Sequence, residues 1–303
     1  METHMSVHSH TADDDFRAGT RQQTAWGSVM ATAFALGEAG AGLFFVALLV
    51  DLLPGMVLGL AMVLLGKGGS HLLHLGQPLR GWRALTRINR SWVSRGLLAL
   101  VVFGACGSLQ VLQAWYGPLP QPVAWLGAML ALGASLVIMV YQGFAMAHSA
   151  AIPLWSSGVM PVISLVYALL GGVLLTLALA TSAAEPAIPP ATAVLLRVAA
   201  HGLLLLCLVA VLAMLHAAWY GSAGGRDAVR LLLRTDYACW FLPLVVGAGI
   251  LVPAGLLGFH PDRHGAVLAA TVAALIGFYA FRVLVFKAGT YDSALSSPQP
   301  LLR

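Results

Sequence analysis

Six residues in the first half of the sequence combine acid, base and phenol chemistry at helical spacing: Glu38, Lys67, His71, His74, Tyr141 and His148. Lys67, His71 and His74 stand at i, i+4 and i+7 and share a face of any helix that carries them. Tyr141 and His148 are two helical turns apart and share another. Histidine or tyrosine donors beside a carboxylate and an ammonium suit chemistry in which two carbonyl oxygens are hydrogen-bonded while protons come and go. Reduction and reoxidation of a quinone in an apolar pocket is chemistry of that kind. The same residues admit a structural reading, with Glu38 and Lys67 as an ion pair and the histidines at an interface. Spacing alone leaves both open.

The elements that must position these residues are membrane spans. Of 303 residues, 59% are hydrophobic and only 9% charged, with a mean hydropathy of +0.87. A soluble domain carries roughly a quarter charged residues, so a soluble enzyme is excluded. About 20 apolar residues cross the hydrocarbon core, and eight such runs lie near 28–50, 54–74, 93–115, 122–147, 159–181, 191–219, 238–258 and 265–287. Breaker-rich segments separate them, including Gly117-Pro118 and the proline-rich stretch 185–190. The fold class expected is an all-α integral membrane protein of eight transmembrane helices in two four-helix bundles. Residues 1–27 form a polar tail, 28–150 the first bundle, 151–290 the second and 291–303 a C-terminal tail. The N-terminal tail shows neither the basic start nor the cleavage site of a signal peptide, and its His4, His8 and His10 read as part of a disordered tail.

An even number of spans puts both termini on one side, here called side A. Most of the basic residues fall there, including Arg80, Arg83, Arg87 and Arg90 in one interhelical segment, with Arg282 and Lys287 near the end of the last helix. Side B receives Arg197 and Arg263. The positive-inside rule makes side A cytoplasmic, and the formal charge of +5 is explained by topology without nucleic acid. Helix direction then sets depth at 1.5 Å per residue: Glu38 about 15 Å from side A, Lys67 and Tyr141 about 10 Å, His148 at the mouth. Glycines 37, 40 and 42 give helix one a small-residue surface for close packing. Trp92, Trp115, Tyr116, Trp155, Trp219 and Tyr220 at span ends fit an interfacial belt. Cys106, Cys207 and Cys239, with no CxxC spacing, read as small core residues. His201 and His216 invite a two-haem reading, but a companion helix with matching histidines is missing, so neither haem nor any other metal is expected in this chain.

The junction of helices two and three reads His71-Leu-Leu-His74-Leu-Gly76-Gln-Pro78-Leu-Arg80-Gly-Trp82-Arg83, followed by Ser91-Trp92-Val-Ser94-Arg95. It resembles the LHLGxPxR and SWxSRE segments of dimethyl sulfoxide reductase membrane anchors, within the wider NrfD and polysulfide reductase anchor family. Tyr141-Gln-Gly143-Phe-Ala-Met-Ala-His148, continuing through Ile152-Pro153-Leu-Trp155 to Pro161, resembles that family's YxGFLLA and IPLWNSPLLP segments. Both lie in the family's order.

The resemblance implies an anchor in the bacterial inner membrane that exchanges electrons between menaquinone or ubiquinone and an iron–sulfur subunit. Through that subunit it serves a molybdenum catalytic subunit in a respiratory chain. The clusters and the molybdenum cofactor would sit in the partners, and this chain would not transform the soluble substrate. The family's quinone site lies in the first bundle near the docking surface, and its helix-four tyrosine corresponds to Tyr141. Tyr141 and His71 would then bind the quinone oxygens, Glu38 and Lys67 would tune or relay protons, and His148 would connect the mouth to water. Arg80, Arg83, Arg87 and Arg90 would dock an acidic partner face. Some relatives carry histidine and asparagine early in helix one, where this chain has Val29, Thr32 and, deeper, Glu38. A cytoplasmic side A suits an acyl-CoA substrate, as in phenylacetyl-CoA:acceptor oxidoreductases; a periplasmic one suits a sulfoxide. A transporter without redox role is the rival, but the halves show no visible repeat.

Overall fold

The computed structural model describes residues 21–182 and 187–292. Most of both expected tails, with Arg17 and Arg303, lies outside the described residues.

Eight helices are long and apolar enough to cross a membrane. They are α1 (Ser28–Leu49), α2 (Leu53–His74), α3 (Trp92–Tyr116), α4 (Gln121–Ala147), α5 (Val159–Ser182), α6 (Pro190–Gly221), α8 (Ala238–Phe259) and α9 (His264–Lys287), with a shorter α7 (Ala223–Arg234) between α6 and α8. Every span begins and ends within about two residues of the run expected from hydropathy. Proline in the first turn opens α2, α4 and α6, where its missing N–H has no partner to lose. Ser91 caps α3 by accepting from the Ser94 amide. Gly117 ends α3 at φ 94°, a conformation that favours glycine.

α1 and α5 form the centre of the molecule. They pack on each other, and α1 also meets α2, α4 and α9, while α5 also meets α4, α6 and α9. α3 packs on α4, and α8 on α9. The halves on either side of residue 150 therefore meet along the two most buried spans. Glycine makes these approaches possible. A Cβ at Gly59 of α2 would come within 2.7 Å of the Gly40 carbonyl oxygen of α1, and one at Gly42 would run into the backbone of α5 at Ala168. Backbones this close gain dispersion contacts where lipid offers no hydrophobic drive between helices.

The described ends of the chain meet on side A. β1 (Arg21–Gln22) pairs antiparallel with β2 (Thr290–Tyr291), and the Gln23 amide donates to the Gly289 carbonyl at 2.8 Å. Two aromatic expectations divide here. Trp115, Tyr116 and Tyr220 are largely exposed, as a belt requires. Trp155, placed in the belt from its position between spans, is instead core: its ring stacks on Trp26 at 5.1 Å, and its indole N–H donates to the Val285 carbonyl at 3.0 Å. The α4–α5 connection folds inward against α9, which hydropathy cannot register. Cys239 also departs from its expected core place: it is exposed at the start of α8, whereas Cys207 is buried.

Candidate functional site

Four spans each carry a polar side chain into the interior at nearly the same depth below side A. Ser164 lies five residues after the start of α5, Gln142 five before the end of α4, and Arg282 five before the end of α9. Lys67 lies seven before the end of α2. Those offsets correspond to about 7–10 Å. Glu38, ten residues into α1, reaches the same cluster from about 15 Å. Glu38, Lys67, Gln142, Ser164 and Arg282 are all fully buried.

The carboxylate of Glu38 is held by Arg282, whose Nη2 stands 2.8 Å from Oε1 and 2.7 Å from Oε2. The same nitrogen lies 2.8 Å from the Ser164 hydroxyl oxygen. Nη1 has the sulfur of Met146 at 3.8 Å, and Nε has no hydrogen-bond partner among the described residues. Phe34, Phe278 and Phe281 surround the guanidinium, their ring centroids 5.5–5.8 Å from its carbon. The ion pair between Glu38 and Lys67 that the structural reading offered is not formed: the partner of Glu38 is Arg282, across 244 residues of chain. Arg282 was counted as a charge near a span end. It is an ionisable group within the span, which is itself a signal of function or pairing.

Lys67 makes a different set of contacts. Its ammonium donates to Gln142 Oε1 at 2.8 Å and sits 4.9 Å from the centroid of the Tyr141 ring and 5.7 Å from that of Phe34. The Gln142 amide in turn reaches the Phe34 carbonyl of α1 at 3.5 Å. Local backbone explains the placement. Residues Met62–Lys67 of α2 are wound as a π-helix, a segment that recurs at functional sites, and Gly37 of α1 leaves room for the lysine, since a Cβ there would stand 2.9 Å from Nζ. Gly96 of α3 does the same for Tyr141, whose ring lies so close that a Cβ would collide with it. The phenol is thus wedged between the α3 backbone and the ammonium.

Of the residues singled out in sequence, the structure brings Glu38, Lys67 and Tyr141 together. His71, one turn beyond Lys67 toward side A, is partly buried, and His74 is exposed. His148 is exposed at the end of α4, its Nδ1 3.0 Å from the Phe144 carbonyl. Its ring lies edge-on to Trp92, which stacks on Phe144 at 4.1 Å and carries the Arg95 guanidinium 4.4 Å from its face. His148 therefore belongs to the rim of the α3–α4 pair and does not touch the buried cluster. Gln142 and Ser164 were missed. Gln142 directly follows Tyr141 inside a segment already singled out, whereas a lone serine in an apolar span gives no signal.

Arg80, Arg83, Arg87 and Arg90 are exposed on and just after a 3-10 segment, Pro78–Arg87. The ion pairs of the described residues are made by other arginines, Arg197, Arg230 and Arg282.

Chemically, the cluster sets one carboxylate against two cations. Lys67 can donate three hydrogen bonds and arginine five, so donors outnumber the acceptors within reach.

A family model described as the DMSO reductase anchor subunit (DmsC) matches residues 29–256. Among curated proteins, the anaerobic dimethyl sulfoxide reductase chain YnfH of Escherichia coli K12 is 30% identical over 195 residues, which cover 60% of this chain and 68% of that relative.

Proposed function

The chain belongs to the family of dimethyl sulfoxide reductase anchor subunits, and from that premise we propose that it is the quinone-reactive membrane subunit of a molybdenum oxidoreductase complex. It exchanges electrons between a membrane quinone and an iron–sulfur partner docked on side A. The observation that carries this reading is the convergence of Lys67, Gln142, Tyr141, Glu38 and Arg282 in one buried cluster, close to the face on which Arg80, Arg83, Arg87 and Arg90 are exposed.

The chemistry follows from the groups present. Oxidation of a quinol releases two electrons and two protons, and reduction of a quinone takes both up. The ring lies among aromatic side chains below side A. Tyr141 and His71 supply hydrogen bonds to its oxygens, the second as donor or acceptor according to its tautomer. Lys67, whose charge is not consumed by a carboxylate, attracts the negative charge that develops on those oxygens as electrons arrive. Glu38 is already engaged by Arg282, so its main effect is to fix the field around Lys67. His148, at the water-facing rim, passes protons between side A and His71. Electrons cross to the nearest cluster of the partner, which the exposed arginines hold through its carboxylates. The terminal substrate is read by the catalytic partner, a sulfoxide or an acyl-CoA according to the compartment that side A faces, and the positive-inside count favours the cytoplasm.

Gentle purification from the native membrane, with titration of a quinol-site inhibitor against wild type and Tyr141→Phe, tests the proposal. Copurifying iron–sulfur and molybdenum subunits, with weaker inhibitor binding in the variant, are expected. A chain that purifies alone and binds neither quinone nor inhibitor overturns it.

A further inference from the structure

We propose that the corner where α6 meets α7 is a binding site for an anionic phospholipid of the leaflet on side A, independent of the redox reading. The observations begin with α7. Its apolar side is already used by the protein: Gly224, Gly225, Ala228, Val229 and Leu232 are buried. Its first turn is fastened by the Ser222 hydroxyl, which accepts from the Gly225 amide, and by Asp292, which accepts from the Gly224 amide, both at 3.1 Å. The helix is thus held rigidly at the level where α6 leaves the membrane, and its arginines are presented at the edge.

Between α7 and the last turns of α6 lies a cavity of about 300 Å³. Its apolar floor is Leu215, Val229 and Leu233, and its walls are His216, Trp219 and Tyr220. Arg230 and Arg234 stand at its rim. Arg230 lies 5.6 Å from the Trp219 ring and is partly neutralised by Asp227 at 3.1 Å. The ion pairs of the described residues do not include Arg234. Tryptophan and tyrosine mark headgroup level, and basic pockets between helices at that level bind acidic headgroups.

What separates a lipid from another acidic ligand is the surface below. Leu205, Val209 and Leu212 of α6 are 63%, 52% and 56% exposed. With His216 they follow i, i+4, i+7 and i+11 and form one continuous stripe leading down from the cavity. A phosphodiester between the two guanidinium groups would place its acyl chains along that stripe, with the Tyr220 hydroxyl and the His216 ring near the ester region. A soluble anion would use the rim and leave the stripe idle.

The test uses the full chain, purified in dodecyl maltoside, stripped of lipid and titrated with phosphatidylglycerol or phosphatidylcholine under native mass spectrometry. Wild type should retain phosphatidylglycerol in preference. Arg234→Gln should weaken that retention on the order of fivefold, the contribution of one surface cation. Arg230→Gln should weaken it less because of Asp227, and Arg234→Lys should preserve it. The control Arg263→Gln, on side B, should be unchanged, and inorganic phosphate should not displace the lipid. Unchanged elution on gel filtration certifies that each variant is folded. Equal retention of both lipids by wild type, equal retention of phosphatidylglycerol by wild type and the Arg230→Gln/Arg234→Gln double variant, displacement by inorganic phosphate, or a partner polypeptide cross-linked to Arg234 in the assembled complex would each overturn the assignment.

Discussion

Removing either member of the Glu38–Arg282 pair should destabilise the protein, and the two removals should be unequal. Both side chains are fully buried and bonded at 2.7–2.8 Å. Deleting one partner of a buried pair costs about 3–5 kcal/mol because the other is left uncompensated. Arg282→Met leaves Glu38 with a second cation in electrostatic reach, Lys67. Glu38→Gln leaves two buried cations and no anion, and arginine cannot relieve this by losing a proton. Glu38→Gln should therefore fall toward the upper end of that range and Arg282→Met toward the lower. The double variant removes the pair together and should recover, with a coupling of about 2–3 kcal/mol. Unfolding by dodecyl sulfate in dodecyl maltoside micelles, followed by the fluorescence of the eight tryptophans, yields all four corners of the cycle. Additive losses in the double variant, or Arg282→Met as stable as wild type, would refute the claim that the pair joins the two halves.

Three further outcomes follow from the same geometry. Gln142→Leu takes the hydrogen-bond acceptor from the Lys67 ammonium and should cost about 1.5–3 kcal/mol in the same unfolding assay, with Gln142→Glu less harmful because it adds an anion beside the lysine. Gly42→Val forces apart backbones at the α1–α5 crossing; a loss of about 1–3 kcal/mol or more is expected, read as a fall in the yield of monodisperse protein, while Gly133→Val, with open space around it, should purify normally. Reversing Arg83 and Arg87 to Glu should release the iron–sulfur partner at lower salt than wild type, while quinol-site inhibitor binding by the isolated chain stays as it was.

The spans were readable because length and apolarity are the whole of the bilayer's demand on a helix: every backbone group is bonded within the segment, and about 20 residues suffice. Direction and depth follow from counting, which places Lys67 and Tyr141 at one level near side A and Glu38 about 5 Å deeper. What counting cannot reach is azimuth. Whether Glu38 faces Lys67 or Arg282 depends on how α1 is rotated between α2 and α9, and that rotation is set by the glycine contacts at Gly40 and Gly42. Arg282 was credited to topology, although it lies about 7 Å inside its helix. Trp155 was credited to the belt, although its indole N–H bonds the Val285 carbonyl across the fold. α7 falls between two of the expected runs, because a twelve-residue helix with four glycines or arginines in its first eight positions is too short and polar to register by hydropathy and shows only an amphipathic pattern.

The place of the buried pair also constrains how the chain assembles. Glu38 belongs to the first span and Arg282 to the last, so neither has its partner until the whole chain is in the membrane. Each must enter lipid alone, at about 2.5–3.5 kcal/mol on insertion scales for Glu38, near mid-span, and less for Arg282, about 7 Å from the end of its helix. The spans tolerate this because the rest of each is strongly apolar, with mean hydropathies of 1.7 and 2.0. Closure of α9 on α1 and α5 then supplies the carboxylate, the Ser164 hydroxyl and the Phe34 ring to a guanidinium that already has Phe278 and Phe281 beside it on its own helix. It is also the step that pairs β2 with β1 and brings the two ends of the described chain together on side A. A chain ending after α8 keeps Lys67, Gln142 and Tyr141 but leaves Glu38 without Arg282. Such a chain should still insert, and it should fail to hold the first-half cluster in the arrangement that a quinone ligand would require.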